Sequence, residues 1–172
     1  MSSSTCSICH FWQSSIGKKI VVALTGAYLV FFLAGHLVGN MLIYQSSEAF
    51  NHYAEFLHTM LHGWGIWIFR IVMLVALALH IIATIQLTCQ NRAARSETYQ
   101  YKTVIQAKKS SRLMIWSGLT ILAFIVFHIL HFTVKIAGGF SDMMDQAYHA
   151  ATGESRHDAY GMVIAGFQNC SL

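Results

Sequence analysis

The sequence predicts an all-α protein, a transmembrane helical bundle, and three observations carry that prediction. Of 172 residues, 55% are hydrophobic and only 10% charged, with no proline, a composition typical of membrane proteins rather than soluble domains. Three long apolar runs, at residues 20–44, 64–88 and 113–135, each reach the roughly 20 residues needed to cross about 30 Å of hydrocarbon. The Lys and Arg residues gather beside the ends of these runs, so the net charge of +4 marks membrane topology and not a nucleic-acid footprint. The spans and their connections use nearly the whole chain, which leaves no room for a soluble catalytic domain. Cysteines at positions 6, 9, 89 and 170 suggest no extracellular disulfide framework.

Residues 1–19 are polar and then aromatic, without the charged start, short apolar core and small-residue cleavage site of a signal peptide. They are expected to form a cytoplasmic interfacial segment with Phe11 and Trp12 at headgroup level. Cys6-Ser7-Ile8-Cys9-His10 has the C-x-x-C-H spacing of covalent c-type haem attachment. Such attachment takes place on the outer face of the bacterial membrane, whereas Lys18 and Lys19 argue that this end stays inside. A zinc site here would lack a fourth ligand.

The first span, 20–44, contains only two strongly polar side chains, His36 and Asn40. Residues 45–63 carry Glu48 and Glu55 but no Lys or Arg, so they are expected outside, with a short amphipathic helix over FNHYAEFLHTMLHGW. His52, His58 and His62 do not all share one helical face there. Trp64 and Trp67 open the second span, 64–88, as an aromatic belt would, and this span carries Arg70 near its outer end and His80 past its middle. Residues 89–112 set Arg92, Arg95, Lys102, Lys108, Lys109 and Arg112 against Glu97 alone, the pattern of a cytoplasmic loop. The third span, 113–135, returns outward with His128 and His131. Residues 136–172 hold four acids and one Arg and are expected outside.

An ionisable group inside a span is costly and is by default a functional candidate. With midpoints near residues 32, 76 and 124 and ~1.5 Å per residue, His36 and His128 lie about 6 Å outward of the midplane and His80 about 6 Å inward. Two level imidazoles on adjacent helices can ligate opposite faces of one haem iron. His80 would then serve a second haem nearer the cytoplasm and finds no fellow ligand in this chain. Hydrogen bonding between helices is the other account of these histidines. Gly35 and Gly39 flank His36 as a small-x-x-x-small pair that admits a macrocycle or a second helix. Arg70, about 9 Å outward of its span's middle, can meet haem propionates or snorkel to the headgroups. His131, one turn beyond His128, is a spare ligand or a group near the outer surface.

Four stretches in order, SSIGKKIVVALTGAYLVFFLAGHLVGN, ALHIIATIQL with QNRAAR, SRLMIWSGLTILAFIVFHILHFTVK and DAYGMVIAGFQN, resemble the cytochrome b membrane subunit of succinate dehydrogenase/fumarate reductase. The likeness is to the bacterial type with a single anchor subunit and two b haems. It implies a multi-pass protein of the bacterial cytoplasmic membrane, its N-terminus inside. Such a subunit holds a flavoprotein subunit and an iron–sulfur subunit on the cytoplasmic face and exchanges electrons with quinone. It has no dicarboxylate catalytic site of its own. Carried over residue by residue, His36 and His128 correspond to the ligands of the distal haem b and His80 to one ligand of the proximal haem. His52, His58 and His62 are either ordinary interfacial residues or contributors to a quinone or proton path. The resemblance also implies five spans, of which three are present: the sequence is a fragment, or the proximal site is lost. Two alternatives are the cytochrome b of another membrane oxidoreductase, of hydrogenase or formate dehydrogenase type, and a haem-free structural anchor.

The charge asymmetry makes a prediction that is independent of any cofactor. A cysteine introduced at Ser47 is expected to react with an impermeant thiol reagent in intact cells, and one at Ser96 is not. The reverse labelling would invert the orientation and exchange the inner and outer haem assignments.

Overall fold

The computed structural model describes residues 7–94, 108–136, 140 and 143–168. Among these, the helices are α1 (Ser7–Gln13), α2 (Ser15–Asn40), α3 (Ser47–Thr59), α4 (Trp64–Ala93), α5 (Lys109–Arg112), α6 (Met114–His128), α7 (Gln146–Thr152) and α8 (Ala159–Gln168). Three helical stretches, Ser15–Tyr44, Ser47–Ala93 and Met114–Thr133, are long and apolar enough to cross a membrane. Large apolar side chains such as Leu24, Phe31, Val75 and Phe124 are exposed along them, as suits helices whose solvent is lipid. The chain divides into two compact units, Met1–Met41 with Phe56–Tyr99, and Leu42–Glu55 with Gln100–Leu172.

In the first unit, α2 starts at Ser15, five residues ahead of the apolar run, because Ser14 caps it. The Ser14 hydroxyl accepts from the Gly17 amide at 2.9 Å and donates to the Phe11 carbonyl at 2.8 Å, satisfying an amide that the first turn would otherwise leave open. The unit's main packing is α2 against α4. Phe32 meets Phe69 with ring centroids 5.6 Å apart, and Ala76 and Ala83 are buried, small residues that let helix backbones approach without a hydrophobic driving force. Between α3 and α4 the helix breaks where Leu61, His62 and Gly63 take positive φ values of 52°, 54° and 87°. The left-handed region is strained for Leu and His and open to Gly, so the break is set against local preference.

In the second unit, α6 continues into a π-helical turn over Ile129–Thr133, closed by the Val134 amide donating to the Ile129 carbonyl at 2.8 Å. Residues 143–158 fold back on themselves through an antiparallel bridge between Met144 and His157. Asp145 and Asp158 then accept from the amides of Tyr148 at 3.1 Å and Gly161 at 2.8 Å, in the first turns of α7 and α8, as helix-capping carboxylates do. Asn51 of α3, 1% exposed, ties both together. Its amide donates to Asp145 at 2.9 Å and Asp158 at 3.0 Å, and its carbonyl accepts from the Tyr160 amide at 2.8 Å. Arg156 is buried beside it, with a fork on Glu48 at 3.0 and 2.6 Å, a 2.7 Å bond to Asp145 and the Tyr148 ring 4.0 Å away.

That guanidinium sets the local protonation. Its hydrogen bond to Asp145, helped by the Tyr148 amide and Asn51, holds the Asp145 carboxyl at about 2; Glu48 is lowered by the same group. A carboxyl depressed in the folded state contributes stability that is complete above its ordinary value and lost as pH falls toward the folded value. The contacts of residues 143–158 are therefore expected to persist at roughly pH 5 and to weaken as pH falls from the ordinary carboxylate range toward about 2. At neutral pH, Asn51→Leu takes one donor from each of two carboxylates and leaves the Tyr160 amide without its acceptor, and is expected to cost about 1–3 kcal/mol. Limited proteolysis of the 143–168 segment in detergent, against pH and in this variant, reads both effects.

Candidate functional site: imidazoles on the membrane helices

His36, His80 and Arg70 belong to the first unit, and His128 and His131 to the second. On α4, His80 is half-buried and turned toward α2. Its Nδ1 lies 3.1 Å from the Thr25 hydroxyl, and a Cβ added at Gly26 would stand 3.1 Å from its Cε1. Ala76 and Ala83, four residues before and three after, share its helical face and are buried. His36 lies exposed on α2, its ring 5.3 Å from that of Phe32 and stacked on it. The side-chain amide of Asn40 donates to the His36 carbonyl at 2.7 Å.

The contacts Thr25 to His80 and Phe32 to Phe69 fix an antiparallel register for α2 and α4. Thr25, Phe32 and His36, spaced by seven and four residues, fall on one face of α2. His80 is level with Thr25, which lies eleven residues from His36. The two imidazoles are therefore about 16 Å apart along the helix axes at ~1.5 Å per residue, more than the 12 Å that span midpoints alone suggest. Arg70 follows Phe69 and so lies near the level of Phe32, about one turn from His36. Its guanidinium sits 5.2 Å over the Trp67 ring, a cation–π contact within α4. Among the described residues a Cβ at Gly35 would meet nothing within 4 Å, while Gly39 is buried.

His128 ends α6 half-buried, between Phe124 at 5.7 Å and Phe132 at 5.5 Å. His131 is 2% exposed, inside the π turn. The rings of Phe132, Phe127 and Phe140 lie 4.3, 5.2 and 5.2 Å away. Gly166 of α8 covers it, where a Cβ would come within 3.3 Å of the ring. Neither ring nitrogen of His131 has a hydrogen-bond partner among the described residues. A π turn inserted in a helix frequently marks a functional position, and a buried polar atom without a partner calls for an explanation.

Cys9 and His10 are exposed on α1; Cys6, Arg95, Glu97 and Lys102 lie outside the described residues. Among the described residues no three His, Cys, Asp or Glu side chains converge as a metal site. Thr25, Asn51 and Arg156 were not evident as site or packing residues from sequence. The available signals were a lone threonine in an apolar run and a lone arginine among four acids. Compared with known proteins, no family model, no curated protein and no solved structure matches this chain.

Proposed function

We propose that the chain is a membrane-anchor cytochrome b of succinate dehydrogenase/fumarate reductase type, a haem b protein that passes electrons between an iron–sulfur subunit and membrane quinone. The observation that carries this reading is the register of α2 and α4, which sets two imidazoles about 16 Å apart along one helix pair. That spacing suits two centres at two depths. The donor set fits haem: imidazoles on apolar helices, with small residues beside His80 and an open position at Gly35 beside His36. When bound, haem supplies reversible one-electron transfer. The chain's own residues supply the rest: His36 and His128 hold the outer iron, His80 one side of the inner iron, and Arg70, near the His36 level, takes the propionate charge. The flavoprotein and iron–sulfur subunits then dock on the cytoplasmic face, and the membrane is the bacterial cytoplasmic membrane.

One observation favours a haem-free anchor. The Thr25–His80 contact is an interhelical hydrogen bond that accounts for one imidazole by itself. A visible absorption spectrum of the purified protein separates the two readings.

In the complete protein, His36→Ala and His128→Ala are each expected to abolish the same haem component in a spectroscopic redox titration, and His80→Ala the other. If His36→Ala and His80→Ala abolish one component while His128→Ala leaves both, the pairing is wrong.

The buried imidazole of His131, without a hydrogen-bond partner among the described residues, makes it the competing ligand of the third span. His131→Leu is expected to keep both components and, by removing an unsatisfied buried polar group, to leave thermal stability unchanged or raised by about 1–2 kcal/mol. Loss of the outer component in that variant transfers the ligand role from His128 to His131.

A further inference from the structure

We infer that Thr25 is a positioning residue for His80: its hydroxyl accepts the Nδ1 proton, which fixes the imidazole tautomer and leaves Nε2 as the nitrogen that ligates the inner iron. The inference rests on the haem reading above and adds to it the identity of the ligating nitrogen. Proton accounting carries it. A threonine hydroxyl has one proton to give. Thr25 Oγ1 lies 2.6 Å from the Val21 carbonyl and 3.1 Å from His80 Nδ1. The carbonyl has no proton, so the shorter contact requires Thr25 as donor; without a proton between them, two oxygens at that distance repel. Toward His80 the hydroxyl is then an acceptor, so Nδ1 carries the ring's proton. In a neutral imidazole the other nitrogen keeps its lone pair.

Two further features bear on that assignment. Gly26, next to Thr25, leaves the space that Cε1 occupies, and a methyl there at 3.1 Å would force the ring to move by a few tenths of an ångström. Cε1 joins the two nitrogens, so such a push tilts both the hydrogen bond and the ligating lone pair. On α4 itself, Thr84 donates its hydroxyl to the His80 carbonyl at 2.6 Å, so that hydroxyl is engaged with its own helix and does not compete for Nδ1. A hydrogen bond to the remote N–H of a ligating imidazole orients it and raises its basicity, which favours the oxidised iron.

The test uses the complete protein in membranes with its partner subunits. Thr25→Val removes the acceptor at nearly constant shape, and Thr25→Ser keeps it. In Thr25→Val, haem content is expected to hold, and the midpoint of the component that His80→Ala abolishes is expected to rise. The rise is about 59 mV for each tenfold preferential loss of affinity for the oxidised haem; the other component stays put and Thr25→Ser restores the parent value. Gly26→Ala is expected to disturb the same component alone. An unchanged midpoint in Thr25→Val, an equal shift of both components, or Thr25→Ser behaving as Thr25→Val overturns the inference while leaving the proposed function standing. Nitrogen-15 NMR of ring-labelled histidine, with the His80 signals assigned by their loss in His80→Ala, reads the tautomer directly, and a proton on Nε2 overturns it too. Absence of haem from the parent protein overturns both the function and the inference, which separates the two failures.

Discussion

Hydrocarbon offers a polar group no hydrogen-bond partner, and the membrane helices of this chain are arranged around that constraint. A helix satisfies its own backbone. The hydroxyls in the spans do nearly the same: Thr25, Thr84, Thr88 and Thr120 each donate to the carbonyl four residues back, at 2.6, 2.6, 2.8 and 3.0 Å. Asn40 folds back on its own turn in the same way. An imidazole can turn at most one of its two ring nitrogens toward its own helix, and the other is left to be satisfied elsewhere. It must look to another helix or to something bound between helices. The histidines are therefore the residues that force the spans into specific company.

The second unit meets the same rule with different means. Its polar cluster of Glu48, Asn51, Asp145, Arg156 and Asp158 is fully reciprocal, so burying Asn51 and Arg156 strands nothing. Arg156 suits that position better than lysine would, since a planar fork can take Glu48 with two nitrogens and still reach Asp145. One asparagine then aligns the capping groups of two helices. In the same unit, His131 breaks the pattern: it is as buried as Asn51 and has no partner among the described residues. Two buried side chains, one saturated and one not, mark where structural packing ends and a candidate binding position begins.

The spans were legible because hydropathy needs only local composition, and twenty apolar residues leave few other folds. The start of α2 was less so: Ser14 carried the signal as a capping residue, but the apolar run beginning at Ile20 drew the boundary inward. Asn51 and Arg156 were illegible for a physical reason. The partners of Asn51, and Glu48 opposite Arg156, lie across 94 to 109 residues of chain, and no periodicity records a pairing over that distance. The π turn is illegible for another reason: one extra residue in a helical turn leaves composition unchanged while rotating His131 into the interior. Thr25 reads in sequence as a tolerated threonine; only the approach of α4 gives it a partner.

Depth along a helix pair constrains what the imidazoles can share. An iron–nitrogen bond is roughly 2 Å long, so two ligands of one iron come within about 4 Å of each other. His36 and His80, about 16 Å apart along the axes, are therefore excluded as a pair on one iron, whatever their rotamers. Any ligand they hold must be two ligands, or one long enough to bridge that interval. For a molecule moving electrons across about 30 Å of hydrocarbon, two carriers at two depths divide the crossing into short steps, which one central carrier would not. If the chain carries electrons as proposed, Arg70 fits the same division: near the His36 level its charge would bias one carrier and, about 15 Å from the level of His80, would act far more weakly on the other. The two sites can then differ in potential even with identical ligands.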